Sequence, residues 1–177
     1  MTNNNDNMTD FSNLDTFTMT TPSEVIISED LSFNVPIVKI LPTSPDFKMP
    51  TKATSGSSGF DIYSIEDVLI NPGEMKSIST GMRIQLPQAH EAQIRSRSGL
   101  AFKHCISVVN QPGTIDQDFV GEVKIGLINH GKVFYAIKKG DRIAQMVIQK
   151  VPDVELKVVS DLDDTTRGIG GFGSTGR

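Results

Sequence analysis

The sequence has few of the features that mark secreted or membrane proteins. Its 177 residues include one cysteine, Cys105, so no disulfide can form within the chain and a reducing compartment is expected. No apolar run is long enough to span a bilayer. The start has no apolar signal-peptide core, and it is acidic where a mitochondrial transit peptide would be rich in arginine. We therefore expect a cytoplasmic protein, or a nuclear one by diffusion, without a secretion or mitochondrial signal.

Positive charge is also scarce. The net charge is −4, so no basic surface for nucleic acid is indicated. Residues 1–38 contain neither Lys nor Arg, and residues 1–33 are rich in Asn, Thr, Ser and Asp. Such a composition predicts a disordered acidic tail over 1–33, with an unknown partner as its possible ligand, followed by one globular domain over 34–177.

Short apolar or alternating runs, separated by turn residues, dominate the rest of the chain. They predict strands at 60–63, 68–70, 76–78, 82–86, 92–94, 106–109, 123–128, 133–137, 143–150 and 154–159. Many short strands at this spacing indicate an all-β sandwich or barrel. Only residues 98–104 are expected to form a helical turn or two.

The stretch between the predicted strands 106–109 and 123–128 contains Pro112-Gly113, which predicts a turn and hence a β-hairpin. A hairpin tip offers backbone N–H and C=O groups that no strand has used, so it can hydrogen-bond a flat polar ligand. Asp116 and Asp118 would share one face of a strand there. For an isolated aspartate in such a place, a role in the turn is the commoner explanation.

Two common nucleotide and metal signatures are missing. The glycine-rich C-terminus is not a P-loop, because no Gly-Lys-Ser/Thr follows a strand. Histidine and cysteine do not cluster, so no all-protein metal cage is predicted, and His90, His104 and His130 are expected to be surface or structural residues.

Five short motifs, in order, closely resemble the signatures of the trimeric dUTP pyrophosphatases (dUTPases). They read S-G-F-D-I at 58–62, R-S-G-L-A at 97–101, G-T-I-D-Q-D-F-V-G-E at 113–122, G-D-R-I-A-Q-M-V at 140–147 and R-G-I-G-G-F-G-S-T-G at 167–176. Three positions depart from the family's usual wording: Ser58 replaces alanine, Ser96 replaces a proline that would stiffen the loop, and Phe119 replaces tyrosine. Five matches in register are very improbable by chance.

The resemblance implies a fold and a reaction. The expected fold is a distorted jelly-roll-like β-barrel of the β-clip type, assembled as a homotrimer with exchange of C-terminal arms and three sites between subunits. The expected reaction is Mg²⁺-dependent hydrolysis of dUTP to dUMP and pyrophosphate by in-line attack of water on the α-phosphorus. Such an enzyme limits uracil incorporation into DNA and supplies dUMP for dTMP synthesis. The expected ligand is the small molecule dUTP, with no nucleic acid or membrane partner.

Roles also follow from the resemblance, residue by residue. Asp116 would orient the attacking water, and Asp61 would help to hold hydrated Mg²⁺ through water. Ser98 is expected to cap the short helix, and Arg142 is as easily structural as ligand-facing. The residues expected to bind phosphate are Arg97, Ser98, Gly99, Gln145, Arg167, Gly173 and Ser174.

The same resemblance implies a deoxyuridine pocket. Asn110, Gly113, Thr114 and Ile115 would bind the uracil through the hairpin main chain, which rejects cytosine. Phe119 would pack under the sugar and block a ribose 2′-hydroxyl, and Lys124 would lie near the substrate. Residues 167–177 would form a mobile lid whose Phe172 stacks on the base.

Two other functions compete with this one. A dCTP deaminase would share the fold but need a different hairpin chemistry. A non-catalytic signalling or scaffold protein could also be built on the fold. Asp116 and the Phe-bearing tail favour the dUTPase over both.

Overall fold

The computed structural model describes residues 35–174, and the predicted tail over residues 1–33 lies outside this range. The all-β prediction is confirmed, since this part of the chain contains ten strands and one helix. Within it, no helix is both long and apolar enough to cross a membrane. The elements are β1 (Lys39–Pro42), β2 (Phe60–Tyr63), β3 (Val68–Ile70), β4 (Met75–Gln85), β5 (His90–Arg95), α1 (Ser98–His104), β6 (Ile106–Val108), β7 (Gly113–Ile115), β8 (Glu122–Asn129), β9 (Tyr135–Ile137) and β10 (Arg142–Lys150).

The strands form two four-stranded antiparallel sheets and one two-stranded sheet. Their orders are β1-β4-β8-β6, β2-β10-β5-β7 and β3-β9. Alternation along β8 buries Val123, Ile125 and Leu127 on one face, and Ile62 and Met146 are buried from the other large sheet. These side chains belong to a single apolar core, so the two large sheets are layers of one structure.

Most predicted strands are present, with small differences at their ends. The predicted strands 76–78 and 82–86 are one strand, β4, which continues through an irregular register between Ser79 and Arg83. The predicted strand at 154–159 is wrong, because residues 151–159 form no strand and their side chains are exposed. An extended segment becomes a strand only where another strand hydrogen-bonds to it, and none of the strands that the structure describes pairs with this segment.

The predicted hairpin is half right. Strands β6 and β8 pair antiparallel, with Ile106 opposite Asn129. The segment between them is not a simple hairpin turn, however, because it contains β7. This strand belongs to the other large sheet and pairs with β5, where Gly113 lies opposite Ile94. The segment over residues 109–121, called the crossing segment below, therefore connects the two layers.

The expectation that Asp116 and Asp118 share a strand face is wrong. Strand β7 ends at Ile115, whose side chain is buried, and a turn begins at once. The backbone N–H of Phe119 donates to the carbonyl of Asp116 at 3.2 Å. Both aspartates therefore lie in a turn at the edge of the sheet.

Candidate active site

Asp61 on β2 connects two arginines from distant parts of the chain. Its Oδ1 accepts from Nε of Arg97 at 2.9 Å, and its Oδ2 accepts from Nη1 of Arg142 at 3.0 Å. Arg97 also donates from Nη1 to the carbonyl of Arg142 at 3.1 Å. The Asp61 side chain is 13% exposed, whereas those of Arg97 and Arg142 are 24% and 49% exposed, so the shielded carboxylate holds two partly exposed guanidinium groups in place. Two positive charges against one negative leave the network positive overall, which suits an anionic ligand.

Gln145 lies beside this network on β10. In the sheet register it stands opposite Asp61 on one side and Arg95 on the other. Its Nε2 donates to the carbonyl of Ser96 at 2.9 Å, just before helix α1. The carboxamide is therefore fixed near the residues that the sequence assigns to phosphate.

Helix α1 begins differently from the prediction. The N-cap is Arg97, with extended φ and ψ of −85° and 127°, and no side chain caps the helix. Ser98 is instead the first helical residue, so the expectation that it caps the helix is wrong. Its side chain is exposed, and a Cβ added to Gly99 would meet nothing within 4 Å. The first turn of α1 is thus open to a ligand.

Ser96, which replaces the family's usual proline, ties this turn to the crossing segment. Its Oγ accepts from the backbone N–H of Val108 at 2.8 Å, and its own N–H donates to Oε1 of Gln111 at 3.3 Å. Two hydrogen bonds therefore hold this position, which has no proline ring to stiffen it. Sequence reasoning missed this role, although the departure from proline was the available signal.

The residues expected to bind uracil lie along β7 and the turn before it. Gly113 and Ile115 are buried and Thr114 is exposed. The carboxamide of Asn110 covers Gly113, because a Cβ added there would lie 3.2 Å from its Nδ2 and Oδ1 atoms. Any larger residue at 113 would displace Asn110, so the pair forms one compact surface.

Asp116 follows β7 directly and is exposed. The next residue, Gln117, accepts a hydrogen bond at its Oε1 from the backbone N–H of Ala89 at 2.7 Å. This bond, which sequence reasoning did not anticipate, fixes the aspartate turn against the β4–β5 loop. Asp116 lines a cavity of about 430 Å³ whose walls also include Glu91 and Asp153.

Phe119 and Lys124 complete this group. The Phe119 ring lies over Gly121, where an added Cβ would be 2.7 Å from the ring's Cζ. Nε of Arg83 donates to the carbonyl of Val120 and so holds the backbone beside the ring. Lys124 is exposed on β8, with Nζ 3.7 Å from Oε2 of Glu122. Phe119 is 42% exposed, so part of its surface is open to a ligand.

The tail residues form a third group. Arg167, Phe172, Gly173 and Ser174 are all exposed. The hydrogen bonds that the structure gives for residues 152–174 all run within that segment, such as the 2.9 Å bond from Nε of Arg167 to the carbonyl of Gly170. Phe172 has a φ of +48° and its ring has no cover from the described chain.

The predicted site residues thus fall into three groups. The structure joins Asp61, Arg97 and Gln145 around the start of α1, and it gathers the uracil residues on the crossing segment. The cavity beside Asp116 has none of Asp61, Arg97 or Gln145 in its wall, and the tail contacts neither group through hydrogen bonds. One chain therefore supplies all the predicted parts but does not assemble them in one cavity.

Comparison with known proteins identifies the family. The family model for dUTPase matches residues 45–176. The chain is 51% identical to a deoxyuridine 5'-triphosphate nucleotidohydrolase of Nautilia profundicola, over 79% of this chain and 99% of the relative. It is 50% identical to the enzyme of the same name from Clostridioides difficile, over 78% and 97%. This chain belongs to the dUTPase family.

Solved structures agree with that assignment. A variant of the Staphylococcus bacteriophage 80alpha dUTPase with bound dUpNHpp superimposes with a TM-score of 0.76 at 27% identity, covering 80% of this chain and 99% of that one. A variant of the phage phi11 dUTPase, solved to show how a structural Mg(II) ion is coordinated, has a TM-score of 0.67 at 25% identity, with coverage of 72% and 99%. The fold is therefore dUTPase-like.

Proposed function

We infer that this protein is a dUTP diphosphatase that hydrolyses dUTP to dUMP and pyrophosphate. The observation that carries the inference is the identity of about half of the aligned residues to named dUTP nucleotidohydrolases, over 79% and 78% of this chain and nearly the whole length of those relatives. We also propose a cytoplasmic location, on the ground of the single cysteine in the sequence. The steps below assign the chemistry to particular residues.

We propose that the triphosphate binds at the start of α1. Arg97 supplies a charged fork there, and Asp61 fixes its orientation in advance, so little side-chain entropy is lost when phosphate binds. Ser98 and Gly99 leave their backbone open to phosphate oxygens, and Gln145 adds one amide donor. Arg142 shares Asp61 with Arg97, which makes it a supporting residue in this proposal.

We propose that the metal is Mg²⁺ and that the substrate supplies most of its ligands. Among residues 35–174 no group of three His, Cys, Asp or Glu side chains is placed to hold a metal ion. The carboxylate of Asp61 is the protein group proposed to act on the metal, through water. Such a role fits Mg²⁺, which prefers phosphate oxygens and water to an all-protein cage. Both Asp61 oxygens accept from arginine, yet each keeps a lone pair for a metal-bound water. When bound, the ion would neutralise charge on the pyrophosphate leaving group.

Asp116 is the proposed catalytic residue. Its carboxylate stands free on a turn that Gln117 anchors, so it can accept a proton from water or orient that water towards the α-phosphorus. Asn110, Gly113, Thr114 and Ile115 would present the uracil surface, with Phe119 against the sugar and Lys124 near the substrate. Polar groups left unpaired by a wrong base would provide the discrimination.

We further propose a homotrimer with sites between subunits and exchanged C-terminal arms. The alternating side chains Val154, Leu156 and Val158 are 70%, 94% and 98% exposed, which is the pattern of a strand without its sheet. Strand β1 is a sheet edge, and an apolar cavity of about 400 Å³ lies beside it, lined in part by Ile40 and Phe60. Residues 154–158 of one subunit would bind the β1 edge and the apolar cavity of a neighbouring subunit, so that both apolar surfaces become covered. The tail of the first subunit would then close over a site on another subunit. That tail carries Arg167, Phe172, Gly173 and Ser174.

The test is pyrophosphate release in the presence of Mg²⁺ from dUTP, dCTP, dTTP and UTP in parallel. Rapid release from dUTP alone is expected, and it would also show that Phe119 still rejects a ribose. Ammonia from dCTP would move the protein to the deaminase branch of the fold. Binding of dUTP without any turnover would favour a signalling or scaffold role.

A further inference from the structure

Gly59 immediately precedes β2, opposite the carboxamide of Gln145. Glycine is often required where the backbone has a positive φ, but Gly59 is not among the glycines with that conformation. Backbone geometry alone would therefore accept alanine at this position, and some other feature must require the absence of a side chain.

That feature is Gln145 itself. A Cβ added to Gly59 would lie 2.5 Å from Oε1, 3.1 Å from Cβ and 3.2 Å from Cδ of Gln145, and these are its three nearest atoms. The first distance is closer than real Cβ atoms approach other heavy atoms. Because Oε1 is the far end of a flexible side chain, the carboxamide would swing away, and Cβ of Gln145 would give by a few tenths of an ångström.

The swing would break a specific arrangement. The same carboxamide donates from Nε2 to the carbonyl of Ser96 at 2.9 Å, so it is held between Gly59 on one side and the residue before Arg97 on the other. An amide nitrogen has two hydrogens, and the bond to Ser96 uses one of them. Among the described residues no acceptor takes the second hydrogen, which under the proposed function is left for a phosphate oxygen.

We propose that Gly59 is a positioning residue for phosphate recognition: its lack of a side chain makes room for the Gln145 carboxamide and keeps Nε2 directed at the triphosphate. This inference rests on the proposed function, since it assigns Gln145 to the triphosphate. It adds a residue with no polar side chain of its own to the site.

A double-mutant cycle tests the proposal. Gly59→Ala, Gln145→Ala and the double variant are compared with wild type for kcat/KM on dUTP. Loss of a hydrogen bond to a charged group predicts a fall of about 10- to 100-fold for each single variant. If Gly59 acts only through Gln145, adding Gly59→Ala to Gln145→Ala should cost less than about 3-fold more, because coupled residues are not additive.

Gly56→Ala is the matched control. Gly56 lies in the same loop, has no positive φ, and an added Cβ there would meet nothing within 4 Å. It should leave kcat/KM and the thermal midpoint unchanged. A binding measurement adds a second readout: Gly59→Ala should weaken binding of dUpNHpp and leave binding of deoxyuridine, which has no phosphates, at the wild-type value.

The proposal is overturned if Gly59→Ala costs the same factor in both backgrounds, if it has no effect, or if it weakens dUpNHpp and deoxyuridine equally. Should Gly59→Ala fail to fold, the double variant decides, because Gln145→Ala removes the 2.5 Å clash and leaves only the milder 3.1 Å contact with Cβ. A folded double variant supports the proposal, and an unfolded one contradicts it. Absence of turnover in the wild type would instead contradict the proposed function, so the two failures are distinguishable.

Discussion

Two regions of this chain have similar patterns of alternating apolar residues, but these side chains are buried in one region and exposed in the other. In residues 36–151, called the body here, the alternating side chains of β8 are buried, and Ile125 is 1% exposed. In residues 152–174, called the C-terminal segment, the alternating Val154, Leu156 and Val158 are exposed. Strand β8 has β4 and β6 on its two sides, whereas no strand within residues 35–174 lies beside the C-terminal segment. The body therefore carries its own core, whereas the segment carries apolar surface that the described part of the chain leaves uncovered, in keeping with the proposed exchange of arms between subunits.

The largest expected effect concerns chemistry in the body. Asp116→Asn should lower kcat by about 100- to 10,000-fold, because a positioned general base is lost. Binding of dUpNHpp should persist, since the amide keeps the size of the carboxylate. Stopped-flow turnover and calorimetric binding measure the two quantities. Asp118→Asn, two residues along the same turn, is the control and should retain activity. Lost binding with intact turnover would refute the role of Asp116.

The next effect separates function from stability in the C-terminal segment. Deleting residues 167–177 should lower kcat/KM for dUTP by about 100-fold or more, because it removes the Arg167 charge and the Phe172 ring from the site. The thermal midpoint should stay the same, because the described tail makes hydrogen bonds only within its own segment. Steady-state kinetics and a thermal melt are enough to check this. A normal rate in the truncated protein would rule out a lid.

Comparison of the body with the C-terminal segment also shows which parts of the structure could be predicted from the sequence. The five motifs predicted which residues belong to the site, and periodicity predicted strands such as β2 and β3 within a residue of their ends. Periodicity could not find β7, since three residues beside a Pro-Gly turn carry too little pattern. It also predicted a strand at 154–159, because alternation reports an extended conformation but not whether a partner strand exists.

The site's internal contacts were less predictable still. The pairing of Asp61 with Arg97 and Arg142 joins residues 36 and 81 positions apart, and no local pattern encodes such a distance. The contacts of Ser96 and Gln117 depend equally on the path of the crossing segment. The predicted roles of the site residues remain predictions, which the variants here are designed to test.

A third prediction compares the two apolar patterns directly. Ile125→Ala should lower the free energy of unfolding by about 2–5 kcal/mol, since it leaves a cavity in a close-packed core. Leu156→Ala should act on subunit association, so its effect should depend on protein concentration. Denaturant unfolding at several protein concentrations distinguishes these outcomes. An equal, concentration-independent loss for Leu156→Ala would place that residue in the body's own core.

A smaller effect is expected where the body meets the C-terminal segment. Ala89 has a φ of +57°, and its carbonyl accepts from the N–H of Val151 at 2.8 Å. A left-handed conformation is strained for alanine, so Ala89→Gly should raise the free energy of unfolding by about 0.5–1 kcal/mol. Ala136→Gly, at the exposed middle position of β9 and without a positive φ, should lower it by a similar amount. Chemical denaturation measures both, and destabilisation by Ala89→Gly would contradict the reasoning.

The smallest effect is a pH dependence within the body. The backbone N–H of Lys139 and the Lys138 ammonium donate to Asp67 and hold the pKa of its carboxyl below the ordinary value of 3.8. Because the folded-state pKa is lowered, this stabilisation is present above pH 3.8 and is lost as the pH falls through the folded-state value. Asp67→Asn should therefore lower the thermal midpoint slightly at neutral pH, with a difference that shrinks on acidification. A difference that stays constant with pH would contradict this account.

The measurement that tests the central claim most directly is complementation between two inactive chains. Asp116→Asn subunits keep the tail, and subunits lacking residues 167–177 keep Asp116. After equal mixing and subunit exchange, about one quarter of the sites should regain activity, because each of two contributions is intact in half of the chains. Recovery near that level would mean that each active site combines Asp116 of one subunit with the tail of another. No recovery, with exchange verified by mass spectrometry, would mean that each chain closes over its own site.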